Sequence, residues 1–336
     1  MKIVIIYLGG KIPSYVTDNI IHINNNLTKD IVFISDNPIS LKKVDKIGVE
    51  TWQCKNSDIA WANVKKSMSH SMSFRNGFWF KTVARFFAIH EYLIVNKAES
   101  VLQVEADVIL AQDFPINKFA ALNVDLAFPL ESPKRGIASL LFIGSTSAAQ
   151  KLVDFTISQI TENNHSTDMT ILGNVIGQKN INTLILPTLT RQMIIHQNRW
   201  KSNLLQPMAK NFDKFGGIFD GISFGLFLTG QDPRNNKGKY LLFKNAPTHS
   251  IDASKFDFVL TEQNKMGIKV NSTLIPLFNL HVHSKNRNLF KEEKRYVKLN
   301  DLLKLSRGGP ASHRVWKVTF IVILRAAVRK LIKNEK

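Results

Sequence analysis

The hydrophobic residues of the N-terminal part fall into short, continuous runs that are rich in Val and Ile. Residues 2–8 and 30–36 are two such runs, and each is followed by residues typical of a turn. Between them, residues 14–26 have the pattern of a helix. A strand, a helix and a second strand in this order predict a parallel, doubly wound sheet of the α/β class.

The middle of the chain continues the alternation of helices and strands. Residues 78–95 place apolar side chains at helical spacing, and they carry Lys81 and Arg85 four positions apart, on one face. Residues 100–104 form an apolar run that predicts a buried strand. The same patterns predict strands over 125–129, 137–143, 182–186 and 275–283, and helices over 146–162 and 168–176.

Two carboxylates follow the strand predicted over 100–104. Glu105 and Asp107 are separated by one residue, so they point to the same side of an extended backbone. The carboxyl ends of strands are where open α/β sheets bind ligands, and two oxygen ligands suit Mg²⁺ or Mn²⁺. The alternative is a pair of solvated acids at an exposed strand end. The apolar run over 108–110 favours the metal site, because solvated loops rarely continue in this way.

A second polar group ends the last predicted strand. His281 and His283 alternate along it and therefore share a face, which Lys285 continues. Imidazole and carboxylate together make a reasonable Mn²⁺ site. One of the two histidines is expected only to pack in the sheet, and His283 is favoured as the ligand because it is nearer the strand end. Lys285 would supply a charge to phosphate, or else remain a solvated lysine.

Other acidic residues are candidates for contacts with the substrates. Asp168 and Asp220 have settings that suit catalysis, but either could instead cap a helix. Asp36, at the end of the second strand, would meet a nucleotide or initiate a turn. Asp232 precedes Pro233 and is predicted to form a turn.

Composition narrows the classes of partner. The 336 residues carry a net charge of +19, from 45 Lys and Arg against 26 Asp and Glu. Scattered lysines could serve only to keep the protein soluble, but local clusters of basic residues favour an anionic partner such as a phosphorylated ligand, a membrane or nucleic acid. Cys54 is the single cysteine, which excludes disulfides within the chain and any site rich in cysteine. No apolar stretch is long enough to span a bilayer.

The basic residues concentrate toward the C-terminus. With no internal repeat, the simplest organisation is one catalytic domain over 1–290 and a basic extension over 291–336. Residues 314–333 form an amphipathic pattern with aromatic residues on one side and basic residues on the other. This pattern is typical of a helix that lies in an anionic membrane surface, although it also suits a helix docked on the protein. The first alternative predicts a cytoplasmic protein that is peripheral on the inner membrane.

Several motifs resemble glycosyltransferases of the glycosyltransferase-A fold, in the order found there. A helix that bears an arginine precedes a strand that ends in Asp-x-Asp, with Glu105 here in place of the first aspartate. The segments that carry the resemblance are 78–87, 101–108, 136–142, 167–172, 219–225, 230–235 and 279–285. The resemblance implies a Rossmann-like mixed sheet flanked by helices, to which the C-terminal amphipathic helix is added.

The same resemblance assigns roles to individual residues. It implies that Asp107 binds Mn²⁺ or Mg²⁺ directly, that Glu105 contacts the ribose or a metal-bound water, and that Arg85 braces the acidic pair or the donor. A C-terminal histidine, here His283 or His281, would complete the metal shell.

Residues on the donor side follow from the same comparison. Lys285 would pair with the diphosphate of the donor. Asp36, from its place at the end of the second strand, and Lys81, on the same helix face as Arg85, are further candidates for contacts with the donor. Asp168 would contact sugar hydroxyls, and Asp220 lies in a block found in bacterial enzymes of surface-polysaccharide synthesis. The implied reaction moves a sugar from a nucleotide-sugar donor, with UDP favoured, to a saccharide or a lipid-linked glycan.

Two other functions use some of the same features. A metal-dependent phosphodiesterase or nuclease would use the acidic pair, but such enzymes usually need more clustered carboxylates. A basic module that binds membranes or nucleic acid would use the charge alone. No nucleic-acid-binding motif is visible in the sequence, so nucleic acid is not an expected partner.

Overall fold

The fold is known from a computed structural model, which describes residues 1–55, 59–69, 74–197, 202–232, 234, 241–246 and 249–307. It confirms a mixed α/β architecture in which helices flank a central sheet. The amphipathic segment predicted over 314–333 lies outside the described residues. Among the residues that are described, no helix is both long enough and apolar enough to cross a bilayer.

The strands and helices alternate through the first half of the chain, as the hydrophobic pattern predicts. The strands are β1 (Lys2–Tyr7), β2 (Ile31–Ser35), β3 (Glu50–Gln53), β4 (Val101–Val104), β5 (Val108–Leu110), β6 (Leu126–Ser132), β7 (Arg135–Gly136), β8 (Leu140–Ile143), β9 (Thr183–Leu186), β10 (Asp257–Leu260), β11 (Met266–Val270), β12 (Thr273–Pro276) and β13 (Asn279–His281).

The helices differ widely in length. They are α1 (Ser14–Asn26), α2 (Pro38–Asp45), α3 (Ile59–Ser67), α4 (Phe78–Asn96), α5 (Ile116–Ala120), α6 (Thr146–Glu162), α7 (Asp168–Asn174), α8 (Arg191–Ile195), α9 (Ser202–Leu205), α10 (Phe212–Phe215), α11 (Ser223–Thr229), α12 (Arg287–Phe290) and α13 (Glu292–Arg307). Short 3₁₀ turns occur at Phe74–Asn76, Gln206–Met208 and Ala253–Lys255.

The central sheet has the order β3-β2-β1-β4-β8-β6-β7, with β9 added beside β6. Strands β1 to β4 pair in parallel, and β8 joins β4 and β6 in antiparallel fashion. Because β1, β2 and β4 run in the same direction, their carboxyl ends meet at one edge of the sheet, which is where α/β sheets bind ligands. The acidic pair that follows β4 lies at this edge.

One predicted strand is wrong. The hydrophobic run over 275–283 was expected to form a single strand, but the structure divides it in two. β12 completes a small antiparallel sheet with β10 and β11, and β13 pairs separately with β5. Because β5 follows the acidic pair directly, this second pairing brings the C-terminal histidines to the carboxyl end of β4.

The last described helix, α13, packs on the body of the protein through buried leucines and a buried arginine. Arg295 is 2% exposed and donates to the carbonyl oxygens of Leu289 at 2.8 Å and Phe290 at 3.0 Å. Its guanidinium also lies 2.7 Å from Nδ1 of the buried His22 on α1. Burial and the neighbouring Arg295 lower the pKa of His22 to about 4, so this imidazole is neutral in the folded protein.

Candidate active site

A cavity of about 620 Å³ opens at the carboxyl ends of β1 and β4. Its walls come from the loop after β1, the start of α4, the start of α7 and the segment after β13. The predicted site residues that line it are Lys81, Arg85, Glu105, Asp107, Asp168, His281, His283 and Lys285. Residues up to 204 positions apart in the chain therefore surround one space.

Three side chains in this cavity form a group that could hold a metal ion. One oxygen each of Glu105 and Asp107 and one nitrogen of His281 all lie within 4.8 Å of one another. His281 Nε2 is 3.3 Å from Glu105 Oε2 and 3.4 Å from Asp107 Oδ1. The pairing of β13 with β5 sets this arrangement, because it places His281 opposite Val108.

The hydrogen bonds of His281 suit a metal ligand. Its Nδ1 lies 2.7 Å from the carbonyl oxygen of Gly221. Since a carbonyl oxygen only accepts, Nδ1 carries a hydrogen and Nε2 is the nitrogen that faces the carboxylates. Burial lowers the pKa of His281, but Asp107 and Glu105 outweigh it and raise the pKa to about 9. The acidic pair thus attracts positive charge at Nε2, and two carboxylates with one imidazole fit Mn²⁺ or Mg²⁺.

Lys285 is the cation nearest to Asp107. Its Nζ donates to Asp107 Oδ2 at 2.6 Å and lies 3.8 Å from Asp232 Oδ2. Burial opposes the ionisation of Asp107, but Lys285 and His281 hold the pKa of its carboxyl well below the usual range. Asp107 is therefore ionised at neutral pH, as a metal ligand must be.

Arg85 connects the acidic pair to α7. Its guanidinium donates to Glu105 and, at 2.8 Å, to Asp168 Oδ2. Thr167 caps α7, so Asp168 is the first residue of the helix and not its cap. Burial raises the pKa of Asp168, while Arg85 works in the opposite direction. The two carboxylates and the arginine form one largely buried ion-pair network beside the metal-binding group.

Asp220 has a different environment from the one expected of a catalytic acid or base. It is 1% exposed, and its carboxylate accepts from the backbone N–H groups of Phe224 at 3.0 Å, Gly225 at 2.7 Å and His281 at 2.9 Å. All of these donors are backbone groups, so the carboxylate joins α11 to β13. Asp220 thereby positions His281 and does not line the cavity.

Asp36 and Lys81 lie together at the end of β1. The backbone N–H of Gly9 donates to both carboxylate oxygens of Asp36, at 2.8 and 3.0 Å. Lys81 Nζ approaches the carbonyl oxygen of the same glycine at 3.5 Å. Burial lowers the pKa of Lys81, and Asp36 partly offsets this effect. Gly9 has a φ of 80°, which favours glycine, and Gly9 and Lys81 both line the cavity.

His283 lies next to the metal-binding group but outside it. Its ring stacks on His281 with centroids 3.9 Å apart, and it lines the cavity. Its Nε2 is buried, and no hydrogen-bond partner for it occurs among the described residues. Burial holds the pKa of His283 well below the usual range. The geometry thus favours His281 as the ligand, where the sequence had favoured His283.

The sequence did not predict the group of charges around Asp232. As expected for a turn, Asp232 accepts from the backbone N–H of Arg234 at 3.0 Å. Its carboxylate also pairs with the side chains of Arg234 at 2.6 Å and of Arg75 at 2.8 Å. Arg75 and Asp232 are 157 positions apart, so no local pattern indicated this contact.

Comparisons with known proteins identify no family. No family model matches the chain, and no curated protein matches it. Among solved structures, the glycosyltransferase GlyE of Streptococcus pneumoniae TIGR4 is 19% identical, with a TM-score of 0.34 over 57% of this chain and 46% of GlyE. The chain therefore spans about half the length of GlyE.

Two other solved structures are similarly distant. The galactosyltransferase LgtC, in complex with donor and acceptor sugar analogues, is 14% identical, with a TM-score of 0.43 over 62% of this chain and 84% of LgtC. Core-mannan synthase A of Aspergillus fumigatus, in an Mn/GDP form, is 8% identical, with a TM-score of 0.38 over 55% of this chain and 72% of the synthase. With identities this low, any function has to rest on the residues of the chain itself.

Proposed function

We propose that the protein is a divalent-metal-dependent glycosyltransferase that uses a nucleotide-sugar donor. The observation that supports this most is the group of Glu105, Asp107 and His281 at the carboxyl end of β4, inside the cavity. A cation held there would neutralise the diphosphate of the donor and so favour its departure. The resemblance noted in the sequence supports the same reaction class.

The charged residues around this group suit a nucleotide-sugar. Lys285 is the cation beside Asp107, so it is placed to pair with a diphosphate that approaches the metal-binding group. Gly9 and Lys81, with Asp36 behind them, form the part of the cavity that we assign to the nucleotide. We keep UDP as the favoured nucleotide, on the resemblance alone.

Arg85 and Asp168 would serve the sugar of the donor. Asp168 lines the cavity and is tied to Glu105 through Arg85. A hydroxyl of the donor sugar that donates to Asp168 would therefore be fixed relative to the acidic pair. This network needs no change of protonation in order to hold a sugar in place.

The acceptor is proposed to be a saccharide or a lipid-linked glycan, in bacterial surface-polysaccharide synthesis. This part rests on the resemblance and on the basic segment over 314–333, which would bind an anionic membrane surface. The proposed location is therefore the cytoplasm, with the enzyme peripheral on the inner membrane. A nuclease or phosphodiesterase is less favoured, because the described residues offer one metal-binding group with only two carboxylates.

The test is a screen for metal-dependent hydrolysis of nucleotide-sugars. We expect the wild type to hydrolyse one of a set of UDP-, GDP- and CMP-sugars in Mn²⁺, and to be stabilised against heat by the matching nucleotide. Asp107→Asn should abolish the hydrolysis and keep the fold. Asp154→Asn is the control, because this acid is exposed on α6 and does not line the cavity. Unchanged turnover in Asp107→Asn, or stabilisation by oligonucleotides without metal, would contradict the proposal.

A further inference from the structure

Three of the aromatic side chains that line the cavity come from one segment, just before and at the start of α4. Phe74, Phe78 and Trp79 all line the cavity, and we call them the aromatic wall. Phe74 is 43% exposed, and it is the one aromatic residue among the large exposed apolar side chains of the described part of the chain. An aromatic ring left in water beside a cavity is typical of a surface that a ligand covers.

The rings of the aromatic wall pack against one another. Phe74 and Trp79 are nearly parallel, at 13°, with centroids 6.1 Å apart. Phe78 meets both rings edge-on, with centroids 6.2 Å from Phe74 and 5.0 Å from Trp79. Parallel and edge-to-face contacts are the favoured arrangements of aromatic rings. The aromatic wall is therefore a continuous apolar surface beside the charged part of the cavity.

The backbone before α4 has an unusual conformation. Arg75 and Asn76 have φ values of 49° and 56°, and Gly77 follows at 76°. Residues other than glycine rarely adopt this left-handed region, and where they do so beside a cavity the conformation points to function. Arg75 fixes the turn, because its guanidinium lies 4.7 Å from the centroid of the Phe78 ring and donates to Asp232 at 2.8 Å.

A short series of ion pairs connects the aromatic wall to the metal-binding group. Arg75 pairs with Asp232, Asp232 lies 3.8 Å from Lys285, and Lys285 donates to Asp107 at 2.6 Å. A ligand on the aromatic wall would therefore lie beside the position proposed for the donor diphosphate. That is the place where an acceptor has to bind for transfer to occur.

We propose that the aromatic wall binds a pyranose ring of the acceptor saccharide. The apolar C–H face of the sugar would lie on Phe74 and Trp79, and its hydroxyls would accept from the guanidinium of Arg75, which lines the cavity beside Phe78. The charges beside the aromatic wall are already paired with one another, since Asp232 pairs with both Arg75 and Arg234. A guanidinium that is paired in this way can still donate to the hydroxyl groups of an uncharged sugar. This inference rests on the proposed glycosyl transfer and names its acceptor site.

The test is saturation-transfer NMR on the full chain in Mg²⁺, with methyl pyranosides of glucose, galactose, mannose and N-acetylglucosamine as probes. We expect saturation to reach the axial ring protons of at least one glycoside. Phe74→Ala should weaken binding of that glycoside by about tenfold, as truncation of a buried aromatic contact does. Phe74→Trp should retain the binding, since it keeps an aromatic face.

Ile94→Ala is the matched control, because Ile94 is an apolar residue of α4 that is 52% exposed and does not line the cavity. It should bind like the wild type. The proposal is overturned if no glycoside receives saturation in the wild type, or if Phe74→Ala behaves like Ile94→Ala. The same experiment is run with uridine, guanosine and cytidine as probes. The proposal is also overturned if Phe74→Ala lowers saturation transfer to one of these nucleosides and not to a glycoside, since the aromatic wall would then stack a base.

The two proposals fail separately. Stabilisation by a nucleotide with Mn²⁺ tests the donor site, and it does not require the aromatic wall. A chain that shows this stabilisation but binds no glycoside would keep the proposed function and lose the acceptor site. A chain that binds a glycoside through Phe74 without responding to any nucleotide would lose the proposed function.

Discussion

Arg85 holds the buried Asp168 and the partly buried Glu105 together, and its removal gives a quantitative test of the site. Its side chain is 9% exposed and donates to Glu105 and Asp168, whose side chains are 19% and 7% exposed. Arg85→Met keeps most of the volume but leaves both carboxylates without their cation. Removing one partner of a buried ion pair costs about 3–5 kcal/mol, a large part of the roughly 5–15 kcal/mol that stabilises a typical protein.

The assay is urea denaturation at neutral pH, followed by the fluorescence of the tryptophans. Arg85→Met is measured alone, with Asp168→Asn, and in the double variant. Because Asp168→Asn removes one of the two stranded charges, Arg85→Met should cost less in that background, with a coupling of about 1–3 kcal/mol. Lys151→Met is the control, because its ion pair with Asp125 is partly exposed and should contribute less than about 1 kcal/mol.

Two results would refute this reasoning. If Arg85→Met costs no more than Lys151→Met, the guanidinium is not needed to hold the carboxylates, and the network is not the buried unit that the structure shows. If the double variant loses the exact sum of the two single losses, Arg85 and Asp168 do not interact energetically. Either result would mean that Arg85 does not hold Glu105 and Asp168 in place at the donor site.

Two further predictions concern the support of the site and of α13. A Cβ on Gly225 would clash with the carbonyl oxygen of His281 and lie 2.7 Å from Asp220 Oδ2. Gly225→Ala should therefore lower the affinity for Mn²⁺ by about tenfold in a calorimetric titration. Gly221→Ala should not lower it, because the nearest neighbour of the new Cβ would be 3.5 Å away. His22 has a pKa of about 4 in the folded protein against 6.5 in the unfolded chain, so the unfolded chain takes up the proton first. The contribution of neutral His22 to the free energy of unfolding is therefore complete above pH 6.5 and is lost as the pH falls toward 4, by at most about 3 kcal/mol. Denaturation of His22→Gln at several pH values should show a smaller loss of stability over this range than the wild type.

The sequence predicted the sheet well because its strands are continuous apolar runs. Strands β1, β2 and β4 are buried, so each appears as a mostly apolar run next to turn residues, interrupted in β4 only by Gln103. The placement of Glu105 and Asp107 follows from the same argument, since a pair that ends a buried strand has to lie at its carboxyl end. These conclusions need only local information.

The choice between the histidines could not be made locally. His281 and His283 share a face on an extended chain, but the strand ends at His281, and its pairing with β5 decides which ring meets the carboxylates. The two alternatives for Asp220, catalysis or a helix cap, could not be separated locally either. Its three backbone donors come from α11 and from β13, and the donor on β13 is separated from it by 61 positions.

The aromatic residues before and within α4 show a third limit. The apolar spacing over 78–95 predicted a helix, and the structure confirms one at Phe78–Asn96. It did not show that Phe74 is exposed, or that the preceding turn is left-handed. Arg75 in that turn pairs with Asp232, which is 157 positions away, and a contact between such distant parts of the chain gives no local signal.

The central claim is that Glu105, Asp107 and His281 hold a divalent cation, and Mn²⁺ titration followed by electron paramagnetic resonance tests it most directly. Free Mn²⁺ gives a sharp signal that is lost on binding. The wild type should bind one Mn²⁺ at this site, and both Asp107→Asn and His281→Gln should weaken that binding by about tenfold or more. Titrations of these two variants that coincide with those of the wild type and of Asp154→Asn would contradict the claim.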